Sequence, residues 1–429
     1  MNNFLTQKLV PVILKIINLR GVQAIKNGMF YIMPLTIIGS IFLLLTNFPW
    51  EPVVRIVRAL GLDAPFNQIT GATFGIIALV AVVAIAFEYC KSENVAGGLH
   101  AGVIGLGAFL IIQDTFVITD AGLQVSNVID KGWLGGKGII AALLLGLLAG
   151  KIFTFCLKRN IRIKLPDSVP EGIANSFNGL IPALIMYVIT GAIYMIFKVW
   201  DMTAIEAIYK IIQLPLQNMT DSFGGAVIMA VTVPFLWFFG VHGSSIISSI
   251  MQPILQANML ENQAILDSGL PLTLANGGHI VTQQFMDQFQ TVTGSGMTIG
   301  VVLYMLFFAK ARKNKEIGKL SLVPGLFNIN EPILFGTPIV LNPFMAVPFI
   351  MMPLISSIIL YLAQWLGLVP LFSAIMVPWT TPPIISGFII GGWKVALLHV
   401  IVLSLSFFVY LPFIRSVDKQ DYESEKSGG

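Results

Sequence analysis

Long apolar runs, separated by short polar segments, dominate the chain from end to end. A membrane-spanning helix needs about 20 mostly apolar residues, and nine segments of the sequence meet or approach that length. They lie at 27–48, 71–90, 97–118, 138–157, 178–198, 223–243, 297–309, 344–366 and 388–411. The pattern predicts an all-α polytopic membrane protein.

Basic residues near the ends of these runs predict the topology, because Lys and Arg mark the cytoplasmic side. Both termini are basic, and two internal clusters join them: Lys151, Lys158, Arg159, Arg162 and Lys164, then Lys310, Arg312, Lys313, Lys315 and Lys319. Placing all four in the cytoplasm requires an even number of crossings. A tenth span is therefore expected between 243 and 296, and Ser244–Leu260, apolar but rich in Ser and Gln, fits a helix that lines a solute path.

Two further apolar segments are too rich in proline for plain helices. One, 325–343, contains Pro332 and Pro338, and the other, 367–387, contains four prolines. Each predicts a re-entrant hairpin, because irregular backbone at membrane depth is tolerated only where it is buried in protein or lines a wet cavity. Interrupted segments of this kind indicate the binding site of a transporter.

These elements predict about ten transmembrane helices and two re-entrant hairpins, arranged as an N-terminal bundle and a C-terminal substrate-binding part. Residues 1–200 are expected to hold an amphipathic interfacial helix over the first 26 residues and a bundle of five spans. An external amphipathic linker is expected at 201–221. The transport domain then covers 222–416, and 417–429 form a cytoplasmic tail.

Composition narrows the class further. Only 11% of residues are charged and 56% are hydrophobic, with a mean hydropathy of +0.84, whereas soluble domains carry roughly 25% charged residues. The two cysteines, Cys90 and Cys156, form no metal-binding or disulfide pattern, so neither a metal nor a cofactor is predicted. The sequence has no ATP-binding or hydrolase motif. Because the basic clusters fit membrane topology, no nucleic-acid partner is expected.

Glu331 is the only charged residue in the 74 positions from 320 to 393. Ionisable groups within a membrane are costly and mark function by default. The alternative is a structural carboxylate that is paired with a buried donor.

His242 is the only ionisable side chain in the 39 positions from 222 to 260. An imidazole can donate, accept or hold a proton near neutral pH. The alternative is a histidine that is satisfied at a helix end, with glycines allowing a close turn.

The polar and aromatic residues around these two fit a neutral, hydroxyl-rich ligand. Asn328, Asn330 and Thr380 offer donors and acceptors without net charge, and carboxylates bind hydroxyls through charge-assisted hydrogen bonds. Trp237 and Trp379 can stack on the apolar faces of sugar rings, or they can belong to the aromatic belt of the membrane interface.

Three other features carry weaker expectations. His279 and Asp287 are interpreted as loop surface. The segment Thr293-Gly-Ser-Gly296 predicts a close approach of backbone to a ligand or to another helix.

The motifs, taken together, resemble a known family. They are Phe-Gly-Val-His-Gly at 239–243, Asn-Ile-Asn-Glu-Pro-Ile-Leu-Phe-Gly at 328–336 and Pro-Ile-Val-Leu-Asn-Pro at 338–343. The chain resembles enzyme IIC, the membrane component of bacterial phosphoenolpyruvate-dependent phosphotransferase systems, in the lactose/cellobiose/diacetylchitobiose branch. The resemblance covers essentially the whole chain.

That resemblance implies a homodimer in the bacterial cytoplasmic membrane, with both termini cytoplasmic and the N-terminal bundle as the dimer interface. It binds a β-linked disaccharide and presents the sugar C6 hydroxyl to phosphorylated enzyme IIB, a separate chain supplied by enzyme IIA, HPr and enzyme I. The family's histidine and glutamate match His242 and Glu331, and its stacking tryptophan matches Trp379. The protein is then a transport component that is not catalytic alone, and it moves the sugar by an elevator-like motion.

Two other functions remain open from the sequence. A proton-coupled secondary sugar transporter would use Glu331 and His242 as a proton relay. A membrane scaffold would transport nothing. The sequence leaves the preferred disaccharide undetermined among lactose, cellobiose and diacetylchitobiose.

Overall fold

The computed structural model describes residues 15, 18–48, 51–119, 122–163, 166, 177–337, 339 and 342–427. Most of the predicted N-terminal amphipathic helix, and part of the segment 338–341, lie outside the described residues. The helices are α1 (Arg20–Phe30), α2 (Met33–Thr46), α3 (Glu51–Ala59), α4 (Asp63–Thr73), α5 (Ile77–Ser92), α6 (Gly98–Ile111), α7 (Ile139–Lys158), α8 (Leu180–Lys198), α9 (Ala204–Asp221), α10 (Phe223–Phe238), α11 (Gly243–Asp267), α12 (Gln283–Phe285), α13 (Ile299–Phe307), α14 (Arg312–Leu326), α15 (Glu331–Gly336), α16 (Pro343–Trp365) and α17 (Ile385–Ser427).

Several helices end close to the predicted span boundaries. The predicted spans 138–157 and 344–366 correspond to α7 and α16. Among the described residues, six helical stretches are long and apolar enough to cross a membrane, and a bent pair, α9 with α10, would make seven. The helix α11 covers the predicted polar span and continues to Asp267.

One predicted span is shorter than expected. The run 97–118 becomes α6, which ends at Ile111, because the polar residues Gln113 and Asp114 follow. The next residues form β1 (Phe116–Ile118), which pairs antiparallel with β2 (Gln124–Ser126) and places Val117 opposite Val125. Among the described residues, this small hairpin is the only β structure.

Two compact units, each discontinuous in sequence, make up the chain. The first comprises Met1–Gly39, Asn67–Asn218 and Ser249–Leu260, and the second comprises Ser40–Phe66, Met219–Ser248 and Glu261–Gly429. The prediction instead divided the chain into consecutive segments, and the roles given to those segments stay predictions. The described part of the predicted tail at 417–429 is helical, since α17 continues to Ser427.

In the first unit, α5 packs against α1, α6 and α7. Small residues let these helices approach closely, and a Cβ atom on Gly102 of α6 would lie 2.8 Å from Cγ1 of Val83. Close packing of small residues is typical of helices in membranes, where the hydrophobic effect between helices is absent.

Two carboxylates carry polar contacts at the end of α5 in this unit. Glu88 is buried and accepts a hydrogen bond from the hydroxyl of Tyr31 at 2.9 Å. Glu93, directly after the helix, forms ion pairs with Arg20 and Lys158. The pKa of Glu93 is lowered, mainly because Lys158 donates a hydrogen bond to its carboxylate. These pairs join the ends of α1, α5 and α7.

In the second unit, α13 packs against both α14 and α17, and a buried carboxylate closes the turn between α13 and α14. Asp418 of α17 accepts hydrogen bonds from the backbone N–H groups of Lys310 (2.8 Å) and Ala311 (3.2 Å) and from Nδ2 of Asn314 (3.0 Å). Glu425 accepts the first two N–H groups of α14 at 2.9 and 3.0 Å. The start of α14 is therefore fixed beside the end of α17.

Candidate functional site

His242 lies at the start of α11 in the second unit and caps that helix. Its Nδ1 accepts the backbone N–H of Ser245 at 3.2 Å and lies 2.9 Å from the hydroxyl of the same residue. An N-cap acceptor satisfies one of the free N–H groups of the first helical turn. Because Nδ1 accepts, we assign the proton of the neutral ring to Nε2. The side chain is exposed, so this N–H can be offered to a ligand.

The glycine after His242 brings α11 against α10. A Cβ atom on Gly243 would lie 2.1 Å from the carbonyl oxygen of Val233, so only glycine fits there. The ring centroids of His242 and Trp237 are then 4.5 Å apart. Trp237 is 5% exposed, and its indole Nε1 is buried without a hydrogen-bond partner among the described residues. A buried donor of this kind is costly unless it meets an acceptor.

Glu331 is the first residue of α15, inside the first predicted hairpin. Its side chain is half-buried. Within the described residues it takes part in no hydrogen bond or ion pair. The alternative of a carboxylate paired with a buried protein donor therefore finds no support in the described contacts.

Asn330, the residue before Glu331, ties α15 to the loop that precedes α13. Its Nδ2 donates to the carbonyl of Ser295 at 2.7 Å and to Oγ1 of Thr298 at 2.9 Å. The loop fits closely around it, since a Cβ atom on Gly294 would lie 2.2 Å from Cγ of Asn330, and Gly294 has a left-handed φ of +89°. The close approach of Thr293-Gly-Ser-Gly296 to another helix is confirmed at Gly296, where a Cβ atom would lie 2.0 Å from Cδ2 of Phe349 on α16.

The same loop contacts the start of α11. The hydroxyls of Ser295 and Ser244 lie 2.7 Å apart. A continuous set of hydrogen bonds therefore runs from the residue beside Glu331, through Ser295, to the residue two positions after His242. Among the described residues, His242 and Glu331 form no direct hydrogen bond with each other.

Asn328 joins the two predicted hairpin segments. Its Oδ1 accepts the N–H of Thr293 at 2.6 Å, and its Nδ2 donates to the carbonyl oxygens of Thr381 (3.0 Å) and Trp379. Trp379 is 49% exposed, so its ring is accessible beside this junction, and Thr380 is half-buried in the same turn. The structure thus links the segments that carry five of the seven predicted site residues.

Four buried glutamines of this unit were not predicted from the sequence. The side-chain oxygens of Gln283, Gln284, Gln288 and Gln290 are buried without a hydrogen-bond partner in the part of the chain that the structure describes. Buried polar groups are normally hydrogen-bonded, so these oxygens are an exception within the second unit. The run Gln-Gln in an apolar tract was the available signal.

Asp287 was predicted as loop surface, but it is half-buried and accepts two hydrogen bonds of 3.0 Å from Nε2 of Gln283.

His279 was also wrongly predicted as loop surface, and it is 8% exposed. Its Nδ1 lies 3.0 Å from Oδ2 of Asp221, and its Nε2 lies 3.1 Å from Oε2 of Glu261. Burial lowers the pKa of His279, but the hydrogen bonds and charges of the two carboxylates outweigh it and raise the pKa to about 9. Its partners Asp221 and Glu261 lie 58 and 18 residues away in the sequence, so the sequence alone does not predict that His279 is buried.

Comparison with known proteins identifies the family of this chain. The family model described as "Phosphotransferase system, EIIC" matches residues 26–353. The chain belongs to the phosphotransferase system EIIC family. The family expected from the motifs is thus confirmed, and the chain is a multi-pass membrane protein.

Individual EIIC proteins are similar to almost the whole of this chain. The cellobiose-specific EIIC component of Geobacillus stearothermophilus is 36% identical, over 99% of this chain and 95% of that protein. The lactose-specific EIICB component of Lacticaseibacillus casei is 30% identical, over 99% of this chain and 72% of that protein. The crystal structure of ChbC, the IIC component of an N,N'-diacetylchitobiose-specific system, matches with a TM-score of 0.92 and 33% identity over 99% of both chains.

Proposed function

We propose that the protein is the sugar-translocating component of its phosphotransferase system, that it binds a β-linked disaccharide, and that it presents the C6 hydroxyl to enzyme IIB. The observation that carries this proposal is an exposed imidazole and a carboxylate without a partner among the described residues, on segments that one hydrogen-bond network holds together. The names of the similar proteins, specific for cellobiose, lactose and diacetylchitobiose, support this substrate class.

In this proposal Glu331 acts on the hydroxyl that receives the phosphate. The carboxylate accepts the hydrogen bond of the C6 hydroxyl and orients its oxygen for in-line attack on the phosphocysteine of enzyme IIB. The new bond joins the sugar oxygen to phosphorus, the P–S bond breaks, the cysteine thiolate leaves, and Glu331 takes the hydroxyl proton. Phosphoryl transfer depends mainly on positioning and charge stabilisation, which a fixed carboxylate supplies.

The remaining site residues divide between contact and support. His242 donates from Nε2 to the sugar or to the phosphoryl oxygens, and Trp237 and Trp379 offer ring faces to the sugar. Both N–H groups of the Asn328 amide are engaged by backbone carbonyls, as are those of Asn330 by loop oxygens. We therefore propose that the two asparagines position Glu331 and Trp379, while Thr380 remains a candidate contact.

The wider arrangement is part of the proposal. It comprises ten transmembrane helices, two re-entrant hairpins, both termini in the cytoplasm, a homodimer and an elevator-like motion of the transport domain. Enzyme IIB, on a separate chain, docks on the cytoplasmic side. The EIICB name of the lactose relative, with EIIC similarity over only part of its length, supports IIB as the partner.

The test is phosphorylation of cellobiose by the protein in lipid nanodiscs, with phosphorylated enzyme IIB as the donor. We expect sugar phosphate with the wild type and with Glu51→Gln, an exposed carboxylate elsewhere in the same unit, and strong loss with Glu331→Gln and His242→Ala. Full activity in both site variants would refute the assignment.

A matched pair of tryptophans tests sugar stacking. Trp379→Ala is expected to weaken cellobiose binding, and Trp365→Ala, a similarly exposed tryptophan on α16, is expected to leave it unchanged. Equal effects of the two substitutions would assign both residues to the membrane interface.

The form of the accumulated sugar distinguishes our proposal from the proton-coupled alternative. In proteoliposomes, phosphorylated sugar that depends on enzyme IIB supports our proposal. Free sugar that accumulates without enzyme IIB and is lost with a protonophore would support a proton-coupled transporter.

A further inference from the structure

An apolar groove lies in the second unit between α13, α14 and α17, and Ile384, just before α17, also lines it. It encloses about 440 Å³, within the roughly 300–1,000 Å³ of typical ligand pockets. Its walls include Ile299 and Leu303 of α13, Leu322 and Leu326 of α14, and Phe407 of α17. The groove is therefore formed by three helices and not by a single exposed face.

The walls offer almost no hydrogen-bonding groups. Ser404 is the one polar lining residue among those the structure describes, and its hydroxyl donates to the carbonyl of Val400 on its own helix at 2.8 Å. A sugar or another polar ligand would lose its hydrogen bonds to water here without replacement. The groove favours a hydrocarbon occupant, and a membrane supplies acyl chains.

The contacts at the start of α14 show which residues lie toward one end of the groove. Asp418 and Glu425 of α17 hold the turn and first N–H groups of α14, as described above. From those contacts toward the groove, α17 passes through Arg415 and α14 passes through Lys315 and Lys319. All three side chains are exposed.

Helical spacing aligns these cations with the groove walls. Lys315 and Lys319 precede Leu322 by seven and three residues on α14, and Arg415 follows Ser404 by eleven residues on α17. Residues three, four, seven and eleven apart lie on one face of a helix. At 1.5 Å rise per residue, Lys319 is only about 5 Å along the axis from Leu322. Lys319 also pairs with Glu316 at 2.8 Å, but exposed pairs of this kind are weak.

We propose that this groove binds one acyl chain of an anionic phospholipid, whose phosphate is held by Lys315, Lys319 and Arg415. Basic side chains toward one end of an apolar groove complement both parts of such a lipid. The basic cluster 310–319 is predicted to be cytoplasmic, which selects the cytoplasmic leaflet, where anionic lipids attract basic residues.

Native mass spectrometry of the purified full-length protein tests the proposal. The protein is offered phosphatidylglycerol and phosphatidylcholine with identical acyl chains, at equal concentrations. We expect one phosphatidylglycerol to be retained preferentially. The triple variant K315Q/K319Q/R415Q is expected to lower that preference roughly 100-fold, since each cation near an anionic lipid contributes about 1 kcal/mol, or about fivefold.

Filling the groove separates the acyl-chain site from general surface attraction. Ser404→Trp places a large ring in the groove and is expected to abolish retention of both lipids. Its control, Val323→Trp on α14, changes an exposed residue that does not line the groove and is expected to retain the lipid. The control for charge is Lys419→Gln. It removes a cation that lies on the other side of Asp418 from the groove, and it is expected to keep the preference for phosphatidylglycerol.

Three results would overturn the proposal: equal retention of the two lipids by the wild type, unchanged retention in Ser404→Trp, or the same loss in Lys419→Gln as in the triple variant. Binding of glycerol phosphate without an acyl chain would also overturn it, since the site would then be a plain anion site. The measurement needs no sugar or enzyme IIB, so its failure is independent of the proposed transport function.

Discussion

Glu331 and Asp418 are both carboxylates of the second unit, but their surroundings differ. Asp418 is 2% exposed and accepts hydrogen bonds from two backbone N–H groups, from Asn314 and, at 3.3 Å, from the hydroxyl of Tyr304. Glu331 is half-buried and has no such partner among the described residues. A buried charge needs compensating donors. The protein supplies them to Asp418, and we infer that a ligand supplies them to Glu331.

The sharpest test of this contrast is Glu331→Gln. Because no described protein contact depends on the negative charge, we expect the melting temperature to stay within about 2 °C of wild type, as for a neutral surface change. Sugar phosphorylation should fall by roughly 100-fold or more, the size of effect expected for a lost general base. A large loss of thermal stability with normal activity per folded molecule would show that Glu331 is structural after all.

Asp418→Asn should show the reverse pattern. The amide keeps one acceptor oxygen but places an NH₂ group against N–H donors, so the free energy of unfolding should fall by about 2–3 kcal/mol. Chemical denaturation in detergent measures this loss, with Asp421→Asn on the same helix as the control. Cellobiose binding per folded molecule should be retained, and its selective loss would contradict the contrast.

Asn330→Ala lies between these two cases. The variant leaves the carbonyl of Ser295 and the hydroxyl of Thr298 without their donor, which should cost about 1–2 kcal/mol of stability. It also loosens the segment that carries Glu331, so phosphorylation should fall about tenfold. The main effect should be on kcat, because a mispositioned carboxylate slows the reaction more than it weakens sugar binding. Unchanged kcat with a lower melting temperature would assign Asn330 a purely structural role.

The stability of the second unit should depend on pH through His279. Its pKa rises from the ordinary 6.5 to about 9 in the folded protein, so folding favours the protonated ring. The stabilisation is complete below pH 6.5 and is lost as the pH rises through about 9. Melting temperatures measured from pH 6 to pH 10 should show this decrease, and Glu261→Gln should make it smaller. A flat profile in the wild type would contradict the ion pairs around His279.

The smallest expected effect concerns Trp237→Phe. The substitution removes a buried indole N–H that has no partner in the described part of the chain, so the melting temperature should hold or rise slightly. If that N–H donates to the sugar, the affinity for cellobiose should fall by about 1 kcal/mol, or roughly fivefold. Isothermal titration decides, and unchanged affinity would leave the indole N–H without a ligand.

The sequence predicted the helices whose apolar runs are long and uninterrupted, such as α7 and α16, because hydropathy alone determines them. It also singled out Glu331 and His242, since an isolated charge in an apolar tract is visible without coordinates. It could not predict that Asn330 meets Ser295 or that Asp221 and Glu261 enclose His279. Those contacts join residues far apart in sequence, and no local pattern encodes the distance between them.

Because Nδ1 of His242 caps α11, this imidazole cannot take up a second proton without losing the cap. A second proton on the ring would convert Nδ1 from an acceptor into a donor, and the first turn of α11 would lose its cap. The imidazole is thus suited to giving a hydrogen bond and poorly suited to shuttling protons in each transport cycle. A proton relay through this residue would have to loosen a helix end every time it turned over, whereas a hydrogen-bond donor at the same place can work with the helix intact.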